Sequence, residues 1–260
     1  MTLRTVRATR YVTPLREGGS LPAIIEADDE GMYVLKFRGA GQGPKALIAE
    51  LLGAQIGRLL NLPVPEPVFV ELPEDMARTE PDPEISTLIR SSAGLNVALD
   101  YLPGSVTFDP LIFEVEPVLA SQVVWFDAYI CNVDRSARNV NLLIWHRRLW
   151  LIDHGASLYF HHAWKQGEEH GSTPFARIKD HVLLKRASEL EAVDAKMRAL
   201  LREPELKSIV ATIPDAWLQP DAGFESLQAH REAYLQFFSS RAKNSGTFLA
   251  EALRARSSHL

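Results

Sequence analysis

One cysteine stands in 260 residues, Cys131, so the chain has no internal disulfide framework and no cysteine-rich zinc site. Basic charge is not in excess: 28 Lys and Arg against 33 Asp and Glu leave a net charge of −5, the opposite of what a nucleic-acid or anionic-membrane surface needs. Long apolar runs are missing too. Residues 47–60 and 118–133 are the most apolar windows, but Glu50 and Arg58 interrupt the first, and Gln122 and Asp127 the second. Neither approaches the ~20 apolar residues of a membrane span. The opening residues, MTLRTVRATR, carry three arginines and no apolar segment of the kind a signal peptide has. What is present, 46% hydrophobic and 23% charged residues, is the composition of a globular chain with a sizeable core. These features lead us to expect a cytoplasmic protein with no membrane span and no direct nucleic-acid binding.

The first third reads as β-rich. Residues 21–27 (LPAIIEA) and 32–38 (MYVLKFR) are short apolar runs around Asp28-Asp29-Glu30-Gly31, a turn signal with Gly31 where positive φ is easy. The pair predicts a hairpin, preceded by a strand near residues 5–12 and a loop, Arg16-Glu17-Gly18-Gly19-Ser20. Pro44 suits the first turn of a helix, and apolar residues at 47, 48, 51, 52, 56, 59 and 60 continue it in helical rhythm until Asn61 and Pro63. A strand is expected over residues 64–72, a surface loop over 74–83, another strand over 85–91, and an extended connection over 95–104. Residues 117–132 predict a buried helix, and the stretch from Val182 to Leu260 is helical by periodicity. The layout is a small β-rich lobe with one helix, a connector and a larger helical lobe.

Chemistry concentrates in residues 132–155, NVDRSARNVNLLIWHRRLWLIDHG. Two apolar runs, 140–145 and 149–152, flank a polar turn at His146-Arg147-Arg148, which predicts a hairpin. If Asn139 and Asp153 lie opposite one another, their midpoint, 146, falls on that turn. Opposed Cβ atoms would then be ~5 Å apart, with Asp134 entering the same point from the preceding loop. Two carboxylates and an amide oxygen are hard ligands suited to Mg²⁺, which is completed by substrate phosphates. Taken singly, Asp134 and Asn139 read rather as turn formers or caps. A carboxylate ending an apolar strand, as Asp153 does, costs stability unless something pairs with it. Lys36 sits between Leu35 and Phe37 on its strand. Glu50 lies in a stripe of small residues, Ala46, Gly53, Ala54 and Gly57, which suits close approach of its helix to the sheet. His154, His161 and His162 do not make a zinc site, lacking cysteine and an H-E-x-x-H spacing. Trp125, Phe126 and Tyr129, at helical spacing, read as core.

The D-x-x-x-x-N element, the hairpin and D-x-G resemble the core of protein-kinase-like phosphotransferases. The words NVDRSARNVNLL and LWLIDHGASLYFHH resemble the HipA-like kinases, an atypical bacterial Ser/Thr kinase family with a core related to that of phosphatidylinositol kinases. The resemblance covers residues 18–162. It implies an α+β, two-lobed protein-kinase-like fold: an N-lobe over 1–95, a connector over 96–104 and a mostly helical C-lobe over 105–260. It implies an ATP-dependent, Mg²⁺-requiring kinase whose phosphoryl acceptor is a protein Ser or Thr, as in toxin-antitoxin systems. A lipid or small-molecule kinase, or an inactive nucleotide-binding module, are the alternatives. In this frame Asp134 is the catalytic residue, and Asn139 and Asp153 are the metal ligands. Lys36 pairs with nucleotide phosphates and Glu50 holds it; Gly18, Gly19 and Ser20 cover the phosphates; Leu99, Tyr101 and Leu102 meet adenine. Ser20 is the nearest match to the family's autophosphorylated loop serine. The chain departs from the wider kinase pattern in having no G-x-G-x-x-G and no H-R-D, and in reading D-H-G for D-F-G. Its length leads to the expectation that an N-terminal subdomain of full-length HipA toxins is absent.

Overall fold

Alternating apolar residues close the N-terminal part into a barrel. The structure, a computed structural model, describes residues 3–15, 21–218 and 223–258. Strands β1 (Thr5–Pro14), β2 (Ala23–Ala27), β3 (Met32–Lys36), β4 (Pro67–Leu72) and β5 (Gly94–Asp100) form a closed barrel in the order β1-β2-β3-β5-β4. Neighbours are antiparallel except β1 and β4, which close it in parallel with Thr5 opposite Phe69. Val6, Ile25, Leu35, Val68, Val70 and Ala98 fill the interior. The β2–β3 hairpin has Ile24 opposite Val34. Its left-handed residue is Glu30 (φ 63°), one position before the expected glycine. Gly31 serves space instead, since a Cβ there would lie 2.6 Å from the Tyr33 hydroxyl.

Two expectations for this region change. Residues 85–91 are not a strand but helix α2 (Pro83–Ser91), because Asp82 caps its first turn by accepting from the Glu84 N–H at 2.9 Å. Residues 96–100, expected in the connector, belong to β5 and pair on both sides, with Leu99 between Val34 and Pro67. Tyr101 then donates its N–H to the Met32 carbonyl, and the chain leaves the barrel through Pro103 and Gly104, the latter at φ 74°.

Helix α1 (Pro44–Leu59) is buried on every side from Leu47 to Gly57, as a helix must be when it lies between two layers. Leu47, Ile48, Leu51, Leu52 and Ile56 are each at most 2% exposed, and each contributes roughly 1.5–3 kcal/mol by burial. The second core runs from α1 through α3 (Pro117–Ile130) into α4 (Leu190–Leu200), α5 (Glu203–Val210), α6 (Leu227–Lys243) and α7 (Ser245–Ser257). Within it Trp125 stacks on Tyr129 at 5.3 Å. Buried Arg241 donates through Nε and Nη2 to the Ala128 carbonyl and through Nη1 to that of Thr173, placing a cation at the C-terminal end of α3. Across the lobes, Gln55 donates to the Thr212 hydroxyl at 2.8 Å and Phe69 meets Trp217 edge to face. Among the described residues no helix is long and apolar enough to cross a membrane.

Candidate active site

The hairpin that carries the motif is β7 (Leu142–Trp145) and β8 (Arg148–Leu151), flanked by the two-residue β6 (Val106–Thr107). Its turn is the pair His146 and Arg147, both left-handed at φ 47° and 63°. Trp145 therefore faces Arg148 and Leu142 faces Leu151. That register differs by one from the one centred on 146, so Asn139 does not stand opposite Asp153. Asn139 instead donates its Nδ2 to Asp134 Oδ2 at 2.7 Å. Asn141 donates to the Asp134 carbonyl at 2.8 Å and to its Oδ2 at 3.4 Å, a role absent from the sequence expectation.

Asp153 is reached from the barrel. Lys36, at the end of β3 and 9% exposed, places Nζ 2.9 Å from Asp153 Oδ1. Asp153 itself is left-handed at φ 55°, a conformation that costs a non-glycine residue of order 1 kcal/mol and that clusters at functional sites. Burial pushes the Lys36 ammonium down, but the charges of Asp153 and Glu50 outweigh it and hold the group above its ordinary value. Burial pushes the Asp153 carboxyl up, and the charge and hydrogen bond of Lys36 bring it below its ordinary value. Asp134 is raised, first by burial and also by the charge of Asp153, against the hydrogen bond from Asn139. The two carboxylates thus feel one another.

Glu50 does not hold Lys36 directly. Its Oε2 accepts the His154 N–H at 2.9 Å, and Oε1 lies 3.4 Å from His154 Nδ1. It acts on Lys36 through its charge, and its contacts tie α1 to the D-H-G segment. The small-residue stripe serves the same join: a Cβ at Gly53 would lie 2.6 Å from His154 Cβ, and one at Gly57 would lie 2.8 Å from Val64. The helix packs on β4 and β5 as the pattern suggests, while Gly53 and Gly57 themselves face the D-H-G turn and residues 64 and 126. At Gly155 a Cβ would sit 3.6 Å from Asp153 Oδ1, Glu50 Oε2 and the Ala46 carbonyl, a small space bounded by three oxygens.

A polar assembly beneath the loop escapes the sequence reading. Asp127, on α3 and fully buried, accepts from Arg135 Nε at 2.6 Å and Asn132 Nδ2 at 2.9 Å, and contacts His181 Nε2 at 2.8 Å. Arg135 Nη1 donates onward to the carbonyls of Asn141 and Ile152, which precede β7 and follow β8 side by side at the open end of the hairpin. One buried carboxylate thereby sets the loop that holds Asp134 and the open end of the hairpin, from which the chain runs on to Asp153. The only sequence trace of it is a charge, Asp127, inside an otherwise uncharged helix.

Leu99 and Leu102 are buried and Tyr101 half-buried at the barrel's exit. Gly18, Gly19 and Ser20 lie outside the described residues. His161 is buried against the Tyr234 hydroxyl at 3.0 Å. Among the described residues no three His, Cys, Asp or Glu side chains converge as a metal cluster. The donor set available to a cation is two carboxylates and an amide. Asn139 turns its amide nitrogen to Asp134, which leaves the amide oxygen as its group for a cation, and this hard set suits Mg²⁺ shared with phosphates.

A family model described as HipA-like kinase matches residues 9–244. No curated protein matches the chain. Among solved structures, the proinflammatory kinase CtkA of Helicobacter pylori superposes with a TM-score of 0.52 at 13% identity, over 100% of this chain and 99% of that one. The Golgi casein kinase superposes at 0.50 and 11% identity, over 98% of this chain and 72% of that one. Its Mn/ADP-bound form gives 0.49 at 12% identity, over 98% and 74%. At these identities the likeness is one of fold, that of a protein kinase in two lobes.

Proposed function

The chain belongs to the HipA-like kinase family, a kinase-type phosphotransferase, and from that premise we propose that it is ATP-dependent, requires Mg²⁺ and phosphorylates a Ser or Thr hydroxyl of a protein. The observation that carries this reading is the ion pair between Lys36 of the barrel and Asp153 of the hairpin at 2.9 Å, with Asp134 close enough to feel its charge. Asn139 and Asp153 are the residues that would hold the cation, and Lys36 the one that would meet the nucleotide phosphates. Mg²⁺ supplies neutralisation of the β- and γ-phosphate charge when bound. Asp134 orients the acceptor hydroxyl and takes its proton as the hydroxyl oxygen bonds to the γ-phosphorus. The bond from that phosphorus to the oxygen bridging to the β-phosphate breaks, releasing ADP. Glu50 and Asp127 position the groups around this centre without touching substrate. Leu99, Tyr101 and Leu102 are assigned to the adenine and Gly18, Gly19 and Ser20 to the phosphates by the family resemblance. A cytoplasmic setting is part of the same reading, supported by the free, buried Cys131.

The test is transfer of the γ-phosphate of ATP, with Mg²⁺, to proteins of a lysate beside lipid and metabolite panels. Asp134→Ala and Asp153→Ala each lower transfer by roughly 10²–10⁴-fold. Transfer surviving both changes overturns the assignment. Nucleotide binding with no transfer to any acceptor assigns the chain to a binding module instead.

A further inference from the structure

Beside Asp134 opens a cavity of about 730 Å³, within the range of roughly 300–1,000 Å³ typical of ligand sites. One wall is the loop that carries Asp134 and Asn139, including Ser136 and Arg138; the other is the segment 177–185. That segment is fixed to the loop. His181 bridges Ser136 in antiparallel fashion, the Val182 N–H donates to the Arg135 carbonyl at 3.1 Å, and the His181 ring contacts Asp127. Phe175, Ile178, Leu183 and Leu184 are buried beneath it. The intervening residues Arg177, Lys179 and Lys185 are thereby exposed and line the cavity, with Arg138 exposed on the facing wall.

The charge of this wall runs against that of the whole molecule. Four cations line the cavity, opposed by Asp134 and by Asp180, which lies 3.9 Å from Arg177. The chain as a whole is at −5. A long polyanion such as a nucleic acid meets net repulsion, whereas a short acidic segment meets only the local field. An acceptor hydroxyl that reaches Asp134 brings its flanking residues into this cavity. Resting on the phosphotransferase reading, we propose that the cavity is the acceptor site and that it selects a Ser or Thr flanked by acidic side chains.

Synthetic peptides with one Ser flanked by Glu, Ala, Lys or phosphoserine, assayed with Mg²⁺ and ATP, test this. The Glu or phosphoserine peptides exceed the Ala peptide in kcat/KM by about tenfold and the Lys peptide is poorest, a scale set by a few exposed ion pairs. The preference collapses between about 0.01 M and about 1 M salt, as the screening length falls from about 30 Å to about 3 Å. The double change Arg177→Glu and Lys185→Glu inverts it, while ATP hydrolysis without peptide and thermal unfolding stay unchanged. Hydrolysis and transfer that ignore peptide charge overturn the acceptor assignment and leave the phosphotransferase reading standing. Competition by an RNA oligonucleotide but not by acidic peptide overturns it in favour of a nucleic-acid surface. Absence of both hydrolysis and transfer overturns the two readings together.

Discussion

Replacing Asp127 by Asn changes one heavy atom and removes the carboxylate that pairs with buried Arg135. Asp127 is fully buried, Arg135 is 2% exposed and His181 7%. The native carboxylate accepts from Arg135 Nε at 2.6 Å and from Asn132 at 2.9 Å, and meets His181 at 2.8 Å. Asn keeps the shape but offers one oxygen in place of two, and its amide N–H groups oppose other donors. Breaking a buried pair on one side costs roughly 3–5 kcal/mol, because the remaining charge stays desolvated. Against a usual total of roughly 5–15 kcal/mol, that is a large fraction of the stability. Urea unfolding followed by both far-UV circular dichroism and tryptophan fluorescence measures it. A matched variant, Asp127→Leu with Arg135→Met, should cost less than the sum of its two single changes, by about 0.5–3 kcal/mol, since neither charge is then left alone. The acid limb gives an independent reading. Burial pushes the Asp127 carboxyl up, but the charge of Arg135 and the hydrogen bond to His181 hold it far below its ordinary range. The stability it adds is therefore present above about pH 4, the unfolded value, and drains as pH falls below it. Asp127→Asn flattens that limb. A loss under about 1 kcal/mol, with additive single changes, would refute the account of a buried charge cluster supporting the hairpin.

Two further perturbations follow from contacts in the same core. Gly53→Ala destabilises by about 1–3 kcal/mol and weakens nucleotide binding, because its Cβ would meet His154 Cβ at 2.6 Å. Gly246→Ala, where nothing lies within 4 Å, is neutral or stabilising by up to about 1 kcal/mol, and thermal unfolding of the pair checks the contrast in sign. His161 is held well below its ordinary value of 6.5 by burial, with the charges of His162 and Lys45 adding. Below about pH 6.5 the unfolded histidine binds a proton and the folded one does not. Stability should then decline with falling pH by up to about 1.4 kcal/mol per pH unit, a slope that His161→Gln reduces in urea titrations at successive pH values.

Much of the architecture is legible in the chain because local signals agree with it. Pro44 and the apolar rhythm after it mark α1, and the apolar runs around residues 28–31 mark the β2–β3 hairpin. Misreadings occur where a local signal is weak. The start signals of α2 are Asp82 at its N-cap and Pro83 in its first turn, placed inside a stretch that reads as an acidic, proline-rich loop, so Ile85 and Ile89 pass for strand residues. The β7–β8 turn contains no glycine, yet two non-glycine residues adopt positive φ there. Nothing in His146-Arg147-Arg148 announces a two-residue turn, and a one-residue error in register moves every facing pair.

The same distinction runs through the site. Asp134, Asn139, Asp153 and Lys36 stand out in the sequence because the chemistry proposed for them restricts residue type at short or ordered spacing: acids and amides for a cation, an amine for phosphate. The structure brings Lys36 to Asp153 and Asn139 to Asp134. The supporting groups obey no such restriction. Asp127 finds Arg135 eight residues on and His181 fifty-four residues on, and Glu50 finds His154 at a separation of 104. Each is a contact between elements whose approach is decided by packing, at Gly53 or under Ile178, rather than by a pattern along the chain. A glutamate on α1 therefore reads as a partner for the nearest lysine in the family arrangement, although its hydrogen bonds go to the backbone and ring of the D-H-G segment. The consequence is physical: Glu50 couples the helix to the turn that bears Asp153, so a shift of α1 moves that carboxylate relative to Lys36 even though Glu50 and Lys36 share no hydrogen bond.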